Sequence, residues 1–530
     1  MDSSTAPRAD VIPAPVMNGA ESLVKTLVAS EVEVCFTNPG TSEMHFVAAL
    51  DKVPGMRCVL GLFEGVVTGA ADGYFRMAGK PTATLLHLGP GLSNGLANLH
   101  NAKRARSGIV NIVGEHASRH LRHDSPLTSD IEGIARPMSD WVRTSRNAVD
   151  VAHDGACAVE IARTAPGKIA TLILPADTAW NEAEAPAKAR APAPRRAVDS
   201  DAVEAAVKSL RKGNAALLLG GLGVRAAALE WAGRIAAATG CRLIAEYNCA
   251  RMERGAGRVV ASRLPYSIDA AMKELAGLES IVLAGAKPPV AFFGYPGKPS
   301  LLAPADCSFA SLAGVEDDIE GALKKLVERL DAQAMQPACI ARLDRQALPE
   351  GAITNDGIAA VLAALLPENA IVVDEAVTTG RAFEPLTANA PPHDWLNLMG
   401  GAIGWALPAS VGAAIAAPAR KVIALEGDGS GMYTLQALWT MARENLDVTI
   451  LVFANRAYKI LRGELAGVGA GEPGQRATDM LTIDRPALDW QSMARGLGVE
   501  AGQAATLAQL ASQFKRGLAS EGPYLIEVLV

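Results

Sequence analysis

The chain has 530 residues, 49% hydrophobic and 20% charged: room for about three domains of ~100–200 residues, and too apolar for a disordered protein. Its 50 Lys and Arg against 56 Asp and Glu leave a net charge of −6 with no basic stripe, so no nucleic acid partner is expected. Seven cysteines without a C-x-x-C pair read as reduced thiols of a cytoplasmic protein, and no apolar run approaches the ~20 residues of a membrane span.

Residues 1–16 carry Asp2, Arg8, Asp10 and three prolines, lack the apolar core of a secretory signal, and read as a disordered lead-in. From 17 to 181, short apolar runs alternate with amphipathic stretches. Runs 32–36, 57–61, 82–86, 109–113 and 169–174 predict buried strands; 19–30, 43–50, 64–78 and 91–106 predict helices between them. That alternation means a parallel sheet covered on both faces. Segment 182–197, EAEAPAKARAPAPRRA, reads as a linker. From 198 to 332 the pattern returns, with strands at 215–219, 242–245 and 280–284 and helices at 224–238 and 268–275. A second linker spans 333–351. From 351 to 530, strands are predicted at 370–373, 421–426, 448–454 and 524–528, and a helix at 432–444. The expected fold class is α/β: three open parallel-sheet domains in series. Ligands of such sheets bind outside the strand carboxyl ends.

The last part carries the most specific chemistry. The run VIALE ends at Glu426, and Gly427, Asp428, Gly429, Ser430 and Gly431 follow. The next strand, VTILVFA, ends just before Asn455, 27 positions after Asp428. Neighbouring parallel strands would bring both side chains to one sheet edge. Hard oxygen donors there suit Mg²⁺, which usually shares its shell with waters and phosphate oxygens. Gly429 and Ser430 open a helix whose free N–H groups favour a phosphate. An ordinary strand–turn–helix connection capped by Asp is the plainer reading of Gly-Asp-Gly alone.

Gly427-Asp428-Gly429 followed by Asn455 resembles the diphosphate–metal motif of thiamine diphosphate (ThDP) enzymes. NPGTSE (38–43), EGVVTGAADGY (64–74) and LGPGLSNGLANLHNA (88–102) resemble their pyrimidine-binding domain, which would be 17–181. GGAIG (400–404) and ALPA (406–409) resemble the start of the diphosphate-binding domain, which would be 351–530, with a central domain at 198–332. The resemblance runs from about 17 to 530 and is nearest to the benzoylformate decarboxylase and acetolactate synthase large-subunit group. It implies ThDP and Mg²⁺ as cofactors, and Asp428, Asn455 and the main-chain carbonyl of Ala457 as metal ligands. It implies that Glu64 hydrogen-bonds the aminopyrimidine and takes part in its proton exchange, with its carboxyl pKa raised by an apolar pocket. The resemblance also implies that Gly401 would offer a carbonyl to the pyrimidine amino group and that Ile403 would prop the cofactor into its bent form. On the same resemblance the loop Glu375, Ala376, Val377 and Thr378 would close the phosphate cradle opposite Gly429 and Ser430, with Tyr458 beside the metal turn.

On the substrate side, His87 ends the 82–86 strand and matches the active-site histidine of benzoylformate decarboxylases. Their second histidine has no counterpart in KPPVAFFGYPG (287–297). Glu115, His116, His120 and His123 lie within nine residues; His116 and His123 are candidate replacements, or the stretch is a solvated loop. Thr41 or Ser42 falls where a serine holds the substrate carboxylate, and Ile460, Leu461 and Glu464 where the pocket is shaped. GGLG (220–223) is a weak dinucleotide signal, and the flavin-binding Arg-Phe-Asp-Asp-Arg run has no match, so FAD is not expected. The resemblance implies a 2-oxo-acid decarboxylase or carboligase, taking an aldehyde or second 2-oxo acid for ligation. It also implies a homodimer or homotetramer whose sites are shared between subunits. The Ala- and Gly-rich helices at 64–78 and 91–106 would suit close packing at such an interface. The alternatives are acetolactate synthase proper and, on the same fold, a non-catalytic nucleotide-binding protein.

Overall fold

The computed structural model describes residues 17–530; the lead-in expected at 1–16 lies outside them. The first sheet holds β1 (Val34–Asn38), β2 (Arg57–Leu60), β3 (Thr82–Leu86), β4 (Ile109–Glu115), β5 (Trp141–Thr144) and β6 (Ile169–Pro175). All six are parallel, in the order β2-β1-β3-β4-β6-β5. β3, β4 and β6 are buried along their whole length, which is why they read as near-continuous apolar runs. Their polar exceptions pair across the register: Thr84 Oγ1 donates to Asn111 Oδ1 at 2.7 Å, and Asn111 Nδ2 to Thr171 Oγ1 at 3.0 Å. The winding reverses between β1 and β3, so the loops after those two strands share one crevice.

The central segment supplies β7 (Ala215–Leu219), β8 (Arg242–Ala245), β9 (Met252–Arg254), β10 (Ser262–Arg263), β11 (Ser280–Ala284) and β12 (Ser308–Ala313). Five of these form a parallel sheet in the order β10-β8-β7-β11-β12. β9 departs and joins the third sheet. That sheet adds β13 (Ile371–Asp374), β14 (His393–Asn397), β15 (Val422–Gly427), β16 (Val448–Ala454), β17 (Glu500–Ala504) and β18 (Tyr524–Leu529), in the order β17-β18-β16-β15-β13-β14-β9. β9 runs antiparallel to β14, so the third sheet is not purely parallel and the central segment stitches its edge. Its winding reverses between β13 and β15.

Elements that periodicity missed have a common cause. β12 and β17 are half-exposed edge strands without an apolar run. β14, HDWLN, is buried yet polar, because its charges are paired: Asp394 with Arg251 at 2.6 Å and with Arg420. The helix expected at 432–444 is broken. A helical turn at Asp428–Gly431 and a helix at Ala437–Arg443 flank a segment anchored by Thr434 Oγ1, which donates to the Gly404 carbonyl at 2.9 Å.

Small residues in the helix Glu64–Ala78 serve a different surface from the one expected. A Cβ on Gly73 would lie 2.0 Å from the Ala409 carbonyl oxygen, and one on Gly412 1.8 Å from that of Ala70. The glycines therefore let this helix pack tightly on Ala406–Ala416 of the same chain. Beside that contact, Arg76 and Asp72 form a fully buried pair at 2.6 Å, with Trp405 Nε1 donating to Asp72 at 2.7 Å and Arg76 stacked 4.3 Å from the Trp405 ring. Arg76 also donates to the Asn397 carbonyl at 2.7 Å, so this buried pair ties the helix to two segments of the third domain, and removing one partner costs about 3–5 kcal/mol.

Candidate active site

Two groups of side chains gather at strand carboxyl ends. The first sits in the crevice between β1 and β3. The chain leaves β1 through Pro39 and Gly40 into a tight turn, Thr41–Glu43, and leaves β3 at His87. The Glu43 carboxylate is buried; its Oε2 accepts the Gly40 N–H at 2.7 Å and contacts His87 Nδ1 at 2.9 Å. Its Oε1 has no partner. Two glycines make room for the pair: a Cβ on Gly40 would lie 2.2 Å from the imidazole, and one on Gly114 1.7 Å from Oε1. Burial holds the Glu43 carboxyl above its ordinary value, against the pull of the neighbouring imidazole. His87 thus has Nδ1 engaged while the ring stays partly exposed. Glu43 lies inside the NPGTSE motif but had no role from sequence alone, because its partner is set by the neighbourhood of β1 and β3, which is a matter of strand order.

Glu64 opens its helix two residues beyond Leu62. Asn94 Nδ2 donates to Glu64 Oε2 at 3.0 Å, and a Cβ on Gly91 would lie 3.1 Å from Oε1, so Gly91 leaves that oxygen open space. Thr41 and Ser42 share the turn with Glu43. His116 lies past the end of β4, with Nε2 3.1 Å from Ser125 Oγ. The His116, His120 and His123 rings form a row 5.5 and 5.6 Å apart, and Arg122 donates to His123 Nε2 at 3.3 Å. His123 is exposed, and its ring nitrogen is engaged by its own chain neighbour.

The second group lies at the third sheet. Asp428, buried at the end of β15, accepts the Gly429 N–H at 2.9 Å and the Arg456 N–H at 2.6 Å. Arg456 is left-handed, with φ +55°, which turns the chain so that Asn455 Oδ1 accepts the Ala457 N–H at 2.9 Å. Burial pushes the Asp428 carboxyl up to about 6, a shift that a cation bound beside it would reverse. Gly429 has no room for a side chain, since a Cβ would lie 2.7 Å from the Tyr458 ring. Asn455, Ala457, Ile460 and Glu464 open onto one cleft of about 800 Å³, shared with Thr378 and Arg381.

Two predicted cradle residues are otherwise occupied. The Glu375 carboxylate accepts the N–H groups of Gly404, Trp405 and Ala406 at 2.6–2.7 Å, capping the helix Ala406–Ala416. Burial pushes that carboxyl up to about 7. The Ser430 hydroxyl donates to Glu426, so only its backbone N–H is free for an anion. The loop 400–404 is clamped from the first domain: Asn101 Nδ2 donates to the Ala402 carbonyl at 2.7 Å, Asn98 Nδ2 to that of Gly404 at 3.3 Å, and His100 Nε2 lies 3.0 Å from that of Gly400. Gly401, at φ +75°, sits in this loop with Ile403. Among the described residues no hydrogen bond joins the group around Glu64 and His87 to the group around Asp428 and Asn455.

The family model described as "Thiamine pyrophosphate enzyme, N-terminal TPP binding domain" matches residues 17–134, and its C-terminal counterpart matches 378–528. Over 519 residues the chain is 50% identical to the Mycobacterium tuberculosis protein named "Putative acetolactate synthase large subunit IlvX", covering 97% of this chain and 99% of that one. It is 30% identical over 525 residues to benzoylformate decarboxylase of Pseudomonas aeruginosa, covering 93% and 95%. The solved structure of the ThDP-dependent 4-hydroxybenzoylformate decarboxylase of Rhodococcus jostii RHA1 matches with a TM-score of 0.84 at 25% identity, over 97% of this chain and 99% of that chain.

Proposed function

We propose, for a chain that belongs to the thiamine diphosphate-dependent enzyme family, that it decarboxylates a 2-oxo acid and releases an aldehyde or passes the acyl carbon to a second carbonyl. It is an enzyme of that family, related to benzoylformate decarboxylase and acetolactate synthase. The observation that carries the decarboxylase reading is the Glu43–His87 pair, an oriented imidazole at the same sheet edge as Glu64.

The donor set at the third sheet suits Mg²⁺ and a diphosphate. A buried carboxylate, an amide oxygen and a carbonyl, from Asp428, Asn455 and Ala457, are hard ligands. The N–H groups of Gly429 and Ser430 and the hydroxyl of Thr378 would meet phosphate oxygens. When bound, ThDP supplies a nucleophilic carbon and an electron sink. Glu64 would hold and release a proton at its carboxylate, in the space that Gly91 leaves open. His87 would move a proton at Nε2, while Glu43 holds Nδ1 and the tautomer with it. Thr41 and Ser42 would orient the substrate carboxylate beside that imidazole. His116 is placed to assist past the end of β4; His123 is the weaker candidate.

The acetolactate synthase reading is the alternative, favoured by the name of the 50% identical relative. In either case family membership supports a shared site, with Glu64 of one subunit meeting the metal group of another in a homodimer or homotetramer. Inactive Glu64→Gln and Asp428→Ala chains, mixed under conditions of demonstrated subunit exchange, should regain activity; no recovery would rule the shared site out. The function is tested by cofactor release from purified protein and by a panel of 2-oxo acids with product analysis. Aldehyde from a single acid supports the decarboxylase; acetolactate from pyruvate as the preferred product would overturn it. No helix among the described residues is long and apolar enough to cross a membrane.

A further inference from the structure

The chain is poor in aromatic residues, at 5%, yet five of them form one connected cluster, of which Tyr266 and Tyr295 line the cleft. Tyr247, Tyr266 and Phe292 lie 5.4–6.2 Å apart by ring centroids, Phe292 and Phe293 4.9 Å, and Phe293 and Tyr295 6.4 Å. Three of them come from the 287–297 loop, where the decarboxylase's second histidine has no counterpart. One end of the cluster reaches the loop expected to meet the cofactor: a Cβ on Gly401 would lie 3.6 Å from Phe292 Cζ. The other end reaches Glu464, on the helix Lys459–Gly467 just past the metal turn.

Glu464 is held by two phenols. Tyr295 donates to Oε2 at 2.6 Å and Tyr266 to Oε1 at 3.2 Å. Burial, and the carboxylate they face, hold both phenols above their ordinary range, so they stay donors. Two such bonds favour the ionised carboxylate and leave it with unused lone pairs. Among the described residues no cation lies within salt-bridge distance of it, although Arg381, Lys459 and Arg462 line the same cleft, whereas Asp269 is paired with Lys298 at 2.6 Å. An anion rigidly aimed beside aromatic rings is complementary to a positive group, through direct charge pairing and the ring faces together. The cluster already carries such a contact, since the Arg381 guanidinium lies 6.0 Å from the Tyr266 ring centroid.

We infer that the cleft takes a 2-oxo acid whose far end is basic, an ammonium or guanidinium, and that Glu464, positioned by Tyr266 and Tyr295, determines this specificity. The inference rests on the 2-oxo-acid reading above for its reactive end, but recognition of the basic end can be measured without reaction.

Two experiments on the full chain test it. In the first, 5-guanidinopentanoate and hexanoate, which lack the reactive carbonyl, are titrated by calorimetry against the protein loaded with ThDP and Mg²⁺. The guanidino acid should bind at least about tenfold more tightly, and Glu464→Gln should erase the difference. In the second, kcat/KM is compared for 5-guanidino-2-oxopentanoate and 2-oxohexanoate on the protein loaded with ThDP and Mg²⁺. Glu464→Gln should lower the first at least about tenfold and change the second by less than about threefold. Equal binding of the two probes, or equal loss on both substrates, would overturn the inference and leave Glu464 a latch between its helix and the central domain. If neither acid is turned over while the binding preference holds, the 2-oxo-acid reading fails and the basic subsite stands.

Discussion

The crevice of the first sheet and the turn of the third are built by opposite means. At the first, chemistry rests on side chains that position one another: Glu43 on His87, Asn94 on Glu64. At the third, a buried carboxylate is tied to backbone N–H groups of two loops, and Gly429 leaves no side chain in the way. The first arrangement suits moving protons, because a partner can tune an acid or base. The second suits holding charge that arrives from outside, because backbone donors and a fixed carboxylate need little reorganisation. Both lie where the winding of a parallel sheet reverses, so one topological device serves two kinds of chemistry.

Asp428→Ala carries the largest expected effect. If the third-sheet turn holds charge, the variant should lose ThDP on gel filtration and at least about 10³-fold in kcat/KM, since several kcal/mol of charge stabilisation go with the metal. Retained cofactor in metal-free buffer would show that the turn is only structural. Glu64→Gln should do the reverse, keeping ThDP but slowing exchange of its thiazolium proton about 10²–10⁴-fold by NMR; an unchanged rate would remove Glu64 from the proton-handling group.

Glu43→Gln sharpens the account of the first crevice. The amide keeps the size but cannot titrate, so kcat/KM should fall about 10–100-fold, as for a lost orienting partner. Because burial raises the Glu43 carboxyl, activity that needs its ionised form is lost as pH falls through that raised value. The variant should therefore lose this acid limb, and an unshifted profile would deny Glu43 its positioning role. The smallest effect concerns pH at the third sheet. Protons and Mg²⁺ compete for the Asp428 carboxylate, which burial pushes up to about 6. Metal uptake by cofactor-free protein, followed by calorimetry, should be full above that value and weaken about tenfold per pH unit below it.

What the sequence by itself determined is what lies along the chain. Buried strands announced themselves as apolar runs, and the residue after a strand end is a local fact, so Asp428, Asn455, Glu64 and His87 were legible with their strands. Strand order was not. Glu43 and His87 are 44 positions apart and meet only because β1 and β3 are neighbours across a reversal of winding. Tyr295 and Glu464, 169 positions apart, meet across two domains. The Glu375 carboxylate, in a loop expected to offer N–H and O–H donors to a phosphate, turns inward because the first N–H groups of Ala406–Ala416 would otherwise be buried without acceptors. Periodicity records which face of an element is buried; which element covers that face, and which polar group must be satisfied there, is settled by packing between segments remote in sequence.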